Sequence, residues 1–221
     1  MFSHALPLAE RYAHLLATEG VVRGLIGPRE APRLWERHLL NCALLGQAVP
    51  TGAGVCDIGT GAGLPGLVLA LSRPDLSLTL VEPLLRRTTF LEEAVDELGL
   101  TNVEVVRARA EALHGSRDFD VVTSRAVAPL DRLLSWSMPL VRQGGHLVAM
   151  KGSSVGEEVE AARPALAKYG AGTVEILQYG DGLVDPPTTV LKVEATRPSG
   201  LGSAGSRPPQ RTKRTSRRKG R

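Results

Sequence analysis

A chain of 221 residues, 43 % apolar and 23 % charged, has room for one domain with extensions and can bury a core, which excludes wholesale disorder. No apolar run approaches the roughly 20 residues that span a bilayer, the first residues show no basic flank ahead of an apolar stretch, and Cys42 and Cys56 make neither a disulfide framework nor a metal cluster, so a cytoplasmic protein is expected. Eight of the 27 Lys and Arg lie between Arg207 and Arg221 with no acid among them; the first 206 residues carry 19 basic against 23 acidic groups, and the net charge of +4 belongs to the tail.

Up to about Pro50, helical spacing links Leu8, Tyr12, Leu15 and Leu16, and again Leu34, His38, Leu39 and Cys42. Gly20, Gly24, Gly27 and Pro28 part the two stretches, so residues 1–50 are predicted to be an N-terminal helical extension. From there to about Lys151, short apolar or β-branched runs alternate with helical patterns. Strands are predicted over 55–58, 76–81, 103–106, 119–123 and 146–150, and helices over 67–71, 86–98 and 130–140. Such alternation predicts an α/β fold, with right-handed βαβ units and a doubly wound, mostly parallel sheet. A helix is predicted over 155–169, then strands over 172–179 and 188–195. No long helix fits between these strands, so the last pair is expected to be antiparallel. The main domain is predicted over 51–196. Residues 197–221, reduced to Ser, Gly, Pro, Arg and Lys, are predicted to be a disordered basic tail.

The sharpest feature is Val55-Cys56-Asp57-Ile58-Gly59-Thr60-Gly61-Ala62-Gly63-Leu64-Pro65-Gly66. A buried strand runs into glycines and then a helix, which sets backbone N–H groups at the carboxyl edge of the sheet, where open α/β sheets bind ligands. Gly61 to Gly66 matches G-x-G-x-x-G, so an NAD(P)-dependent oxidoreductase is one alternative. Asp57 tilts the reading toward S-adenosylmethionine: a carboxylate is a poor neighbour of a pyrophosphate and a good one of an ammonium and a sulfonium. Its bland alternative is a surface turn acid. Glu82, closing the second strand, can accept from both ribose hydroxyls, a device nicotinamide folds share. Past the third strand, the Ala110 backbone and the Glu111 carboxylate can read an adenine amino group, or Glu111 can simply begin a short helix.

Past the fourth strand comes Thr123-Ser124-Arg125-Ala126, without the Asn or Asp, prolines and aromatic that methylases of exocyclic amino groups place there. A ring nitrogen such as guanine N7 has a free lone pair and no proton to lose, so it needs positioning more than a base. Arg125 can hold a phosphate, a base edge or the cofactor carboxylate, or be a surface ion-pair partner.

Asp57–Gly66 and Ser124-Arg125-Ala126, together with Met150-Lys151-Gly152 and Trp35-Glu36-Arg37-His38-Leu39-Leu40, resemble the RsmG (GidB) family of bacterial methyltransferases that modify guanine N7 in 16S ribosomal RNA. The resemblance runs from about Leu34 to about Ala195. It implies a class I Rossmann-like methyltransferase fold with a final antiparallel strand and S-adenosylmethionine as donor, with no metal. The implied partner is 16S rRNA, the small ribosomal subunit or its assembly intermediate. Carried over by position, it implies cofactor contacts at Gly59, Leu64, Ala110, Glu111 and Arg125; Asp57, Gly61 and Glu82 join them on the reading above. Arg125 and Lys151 are expected to manage the base and phosphates, and Arg37, His38 and Lys151 to lie toward the RNA. Asn41-Cys42 stands where the family often has Asp-Ser, and Gly24-Leu25-Ile26-Gly27 replaces an Asn-Leu-Thr segment.

His38 is expected to be a core or RNA-orienting histidine rather than a proton-transfer group, Cys56 a small core hydrophobe, and Trp35 and Trp136 packing residues. The tail is expected to tether RNA without reading its sequence. A monomer is expected. A second alternative, from another class, is a non-catalytic RNA-binding ribosome-assembly factor driven by that tail.

Overall fold

The structure is a computed structural model that describes residues 1–2, 4–125 and 128–197. Its strands are β1 (Gly54–Ile58), β2 (Ser77–Val81), β3 (Val103–Val106), β4 (Phe119–Arg125), β5 (Val141–Lys151), β6 (Ala171–Tyr179) and β7 (Thr188–Ala195). They form one sheet in the order β3-β2-β1-β4-β5-β7-β6. The pairs from β3 across to β5 are parallel, whereas β7 runs antiparallel to both β5 and β6. Strand order reverses between β1 and β4, and there the carboxyl ends of an open parallel sheet leave a crevice.

Central strands buried on both faces read as continuous apolar runs, and their period of two sorts the side chains between two cores. Val55, Val121, Val148 and Val190 face one core, which α1 (Leu6–Leu15), α2 (Leu40–Leu45), α3 (Gly66–Ser72) and α4 (Leu85–Leu98) cover. Cys56, Val122, Leu147 and Leu191 face the other, under α5 (Leu130–Ser137), α6 (Val155–Ala161) and α7 (Arg163–Lys168). The N-terminal helices are therefore part of one wall of the sheet, with Tyr12, Leu16 and Leu39 fully buried. Cys56 is the core hydrophobe expected, and Trp35 packs edge-on against Phe2 at 6.0 Å.

The single helix predicted over 155–169 is two. Pro164 has no N–H for the carbonyl four residues back and its ring crowds that carbonyl, so the chain breaks at Ala162 (φ −89°, ψ 4°) and restarts with the proline in the first turn of α7. The predicted helix 130–140 likewise ends at Ser137 and continues as a 3₁₀ turn, Met138–Leu140, around Pro139. The closing pair is antiparallel as expected, but β7 is inserted between β5 and β6, so β6 is the edge. Among the described residues no helix is long and apolar enough to cross a membrane. The tail predicted over 197–221 lies, beyond Arg197, outside the described residues.

Candidate active site

β1 delivers the chain to the crevice and residues 59–65 turn it into α3. The Gly59 N–H donates to the Val81 carbonyl at 2.8 Å, tying the loop to β2. Two glycines are required by close approach. A Cβ on Gly63 would lie 2.5 Å from a Leu67 methyl and 2.9 Å from the Tyr12 hydroxyl, at a left-handed φ of 96°. A Cβ on Gly66 would strike Leu80 Cδ2 and lie 2.8 Å from Asp57 Oδ2, so its absence lets α3 pack against the sheet.

Asp57 is fully buried beneath this loop and is not a surface turn acid. Its Oδ2 accepts from the Thr60 hydroxyl at 2.5 Å and the Gly66 N–H at 2.8 Å. Its Oδ1 has no partner among the described residues. Burial pushes the carboxyl up to about 7. The loop is also held from the other side: the Tyr12 hydroxyl donates to the Ala62 carbonyl at 2.7 Å. Sequence reasoning saw in Tyr12 only helical spacing; a partner 50 residues away leaves no local signal.

Three cavities follow the sheet edge. The first, of about 360 Å³, is lined by Gly59, Glu82, Ala110, Glu111 and Trp136, with Arg87 and Arg109 at its rim. Glu82 is almost wholly buried. Its carboxylate accepts from the Gly61 N–H at 3.2 Å, the Leu84 N–H at 3.1 Å and Arg87 at 3.3 Å. Ala110 and Glu111 open a 3₁₀ turn, Ala110–Leu113, as the plainer reading of Glu111 had it, yet both face this cavity. Trp136, expected only to pack, is one of its walls. The second cavity, of about 160 Å³, is bounded by Gly59, Gly61, Leu64, Arg87 and Arg125, and by Leu25 and Ile26 from the N-terminal segment. The third, of about 700 Å³, is bounded by Arg125, Pro129, Met150, Lys151 and Glu158. Gly59 is a wall common to the first two and Arg125 to the last two, so the cavities form one track. Asp57 lines none of them: it supports the loop from below.

Arg125 is held from behind. Its guanidinium donates to His38 Nδ1 at 2.6 Å, which assigns the imidazole proton to Nε2; that N–H donates to Glu30 Oε2 at 3.0 Å. Glu30 also takes Arg37 at 2.9 Å. Burial, and then the Arg125 charge, hold the His38 imidazole below its usual value of 6.5. Lys151, expected to handle phosphates, is 94 % buried and already engaged: its Nζ donates to Glu158 at 2.6 Å and to the Ala128 carbonyl at 3.3 Å. It is a wall of the third cavity rather than a free phosphate grip. Asn41-Cys42 is a structural joint: Asn41 donates to the Glu36 carbonyl at 2.8 Å and accepts from the Thr188 hydroxyl at 2.5 Å, and Cys42 is buried against Met150.

The comparisons with known proteins agree with this geometry. The family model described as rRNA small subunit methyltransferase G (GidB) matches residues 5–182. Proteins named Ribosomal RNA small subunit methyltransferase G from Nocardioides sp., Thermobifida fusca and Streptomyces coelicolor are 68 %, 54 % and 57 % identical to this chain. The matches cover 86 %, 96 % and 96 % of it and 76 %, 90 % and 90 % of those proteins. Among solved structures, a SAM-dependent O-methyltransferase from Thermotoga maritima shares the fold at a TM-score of 0.57 and 14 % identity, over 76 % of this chain and 71 % of that one. A ribosomal protein L11 methylase from Lactobacillus delbrueckii subsp. bulgaricus does so at 0.54 and 17 %, over 71 % and 77 %. With the glycine loop, the doubly wound sheet and most of the chain matched, the protein belongs to the GidB family, rRNA small subunit methyltransferase G.

Proposed function

We propose that this enzyme transfers the methyl group of S-adenosylmethionine to N7 of a guanine in 16S rRNA. The observation that carries the reading is the track of three cavities joined by Gly59 and Arg125, a succession that suits a nucleoside, its charged extension and an acceptor base. The residues present fit the donor. Glu82 offers a fixed carboxylate to ribose hydroxyls, Ala110 and Glu111 a polar edge to adenine, and Gly59, Gly61 and Leu64 a close backbone approach to the methionyl end. Four buried side-chain polar atoms have no partner among the described residues: Arg87 Nε, on a residue lining the first two cavities, Asp57 Oδ1 and Ser124 Oγ, on the strands β1 and β4 that frame the crevice, and Ser137 Oγ at the end of α5. When bound, S-adenosylmethionine supplies an electrophilic methyl: its C–S bond breaks as the N7–C bond forms, and positive charge passes from sulfur to the purine with no proton lost. The third cavity suits this chemistry, because its carboxylate is already paired with Lys151 and Arg125 can orient the base or a phosphate. We assign residues 51–196 to this catalytic domain, residues 1–50 to a helical extension, and the segment after Arg197 to sequence-independent tethering of rRNA.

Mass mapping of rRNA from a deletion strain tests the reading: loss of one N7-methylguanine is expected, and its retention refutes the assignment. If the protein were instead an assembly factor driven by its tail, Gly59→Asp would leave function intact and truncation after Arg197 would abolish it. The reverse order is expected.

The Arg125–His38–Glu30 chain makes a further prediction. An imidazole held below 6.5 contributes stability that is full above 6.5 and is lost as pH falls through the folded value. Arg125 is therefore held at neutral pH and released in acid, where His38 also becomes a like charge beside it. Asp57, raised to about 7, works in the opposite sense on stability: its contribution is full below 3.8 and lost as pH rises through 7, so an acid loss of stability does not come from it, and the His38→Gln profile separates the two titrations in activity. Single-turnover methylation is expected to fall from pH 7 toward 5, and His38→Gln to be about tenfold slower at pH 7 with a flatter acid limb. A variant profile parallel to the wild type would remove His38 from the positioning of Arg125.

A further inference from the structure

Only one carboxylate, Glu158, is among the described residues that line the third cavity, and it stands in contact with Lys151. The two come from different elements: Lys151 ends β5, and Glu158 projects from the first turn of α6. The cavity is otherwise cationic and apolar, with Arg125, Ala128, Pro129, Met150 and Gly152. We propose that the Lys151–Glu158 pair is the element that reads the target base as guanine, with Glu158 the residue that compensates the charge the purine acquires; this rests on the methyl-transfer reading above.

The chemistry of the base dictates the pairing. Guanine presents N7 and O6 as acceptors, followed around the ring by N1–H and the 2-amino group as donors. N7 must stay free of hydrogen bonds to attack the methyl carbon. O6 beside it then takes the Lys151 ammonium, and N1–H beside O6 takes a Glu158 oxygen. Adenine offers the reverse order, an amino donor where guanine has O6 and a bare N1 where guanine has N1–H, so it would set donor against ammonium and lone pair against carboxylate. In the resting protein Glu158 Oε2 holds Lys151 at 2.6 Å, while among the described residues Oε1 has the Ser154 hydroxyl alone, at 3.5 Å, and can take a stronger donor.

A second effect acts in the same direction. The transfer moves one positive charge onto the purine. Next to Arg125 and Lys151 that charge is repelled, and Glu158 is the opposing charge in the cavity. The interaction strengthens as the reaction proceeds, so it belongs to the rate of the chemical step more than to rRNA binding.

The test uses full-length protein and small-subunit rRNA lacking the modification, with the methylated nucleoside identified by mass. Glu158→Gln keeps the shape and an acceptor but removes the charge; Glu158→Leu removes both. Single-turnover rates are expected to fall at least tenfold in Glu158→Gln and at least a hundredfold in Glu158→Leu. Affinity for S-adenosylmethionine should stay within about twofold of the wild type, which marks the cofactor site as folded. Glu158→Asp is expected to recover part of the rate, which a purely structural ion pair displaced by a methylene would not do. Wild-type rates in Glu158→Gln, or rate and cofactor affinity falling together in all three variants, would overturn the assignment of Glu158 alone. A wild-type protein yielding no 7-methylguanosine would instead overturn the reading beneath it.

Discussion

Gly66→Ala is expected to lower the melting temperature by about 5–10 °C and to weaken S-adenosylmethionine binding at least a hundredfold. The added methyl would meet Leu80 Cδ2 and the Asp57 carboxylate, both fully buried and neither at the free end of a surface chain. Overpacking of this kind costs about 1–3 kcal/mol, which for a domain of this size is a shift of roughly 2–4 °C per kcal/mol. The binding loss follows from position: the Gly66 N–H bond to Asp57 Oδ2 anchors the far end of the loop. Pushing α3 away from β1 would therefore move residues 59–65 together. Thermal melts with and without the donor separate the two effects. A variant that melts with the wild type and keeps its shift with ligand would show that Leu80 can yield, and that the close approach of α3 is not what shapes the site.

Glu82→Ala should have the larger effect on binding relative to stability, with donor affinity reduced about 10²–10³-fold, or roughly 3–4 kcal/mol. The side chain takes two backbone N–H groups and Arg87 on one carboxylate, and a hydrogen bond to a charged group contributes about 1.5–3 kcal/mol. Alanine would leave the Gly61 and Leu84 amides without that acceptor, loosen the loop at Gly61, and remove the acceptor offered to the ribose. Glu82→Gln is expected to fall between, since its amide oxygen can still accept one of these bonds. Calorimetry gives the affinities directly. Binding by Glu82→Ala within threefold of the wild type would place the nucleoside elsewhere than in the cavity that Glu82 lines. Arg125→Ala provides the contrast: affinity for the donor should fall only modestly while methyl transfer is lost.

The stretch from β1 through the glycine loop to α3 was legible because strand, turn and helix signals follow one another within a few residues. The alternation of Val55 with Cys56, or Val121 with Val122, between two cores is equally local. The break at Ala162 was written in Pro164, but Val159, Ala162 and Leu166 carry helical spacing straight across it and concealed it. The antiparallel run of β6 and β7 followed from the short connection, whereas the insertion of β7 between β5 and β6 depends on pairing with a strand some 40 residues earlier in the chain. The candidate site divides in the same way. Glu82 and Arg125 announce themselves by standing at strand ends, and Ala110 by its place in the connection after β3. Their supports do not: Tyr12 reaches Ala62, and His38 reaches Arg125 across 87 residues. Asp57 was singled out for its charge, yet its two bonds are to Thr60 and Gly66, and burial sets its proton affinity.

The crevice between β1 and β4 is expected to take a sulfonium nucleoside rather than a nicotinamide dinucleotide. Titration calorimetry of the purified protein with S-adenosylmethionine, S-adenosylhomocysteine and NADH, at neutral pH, decides between them. One molecule of either sulfur ligand per chain and no heat from NADH is the result expected. Saturable binding of NADH, or no affinity for either sulfur ligand, would contradict it.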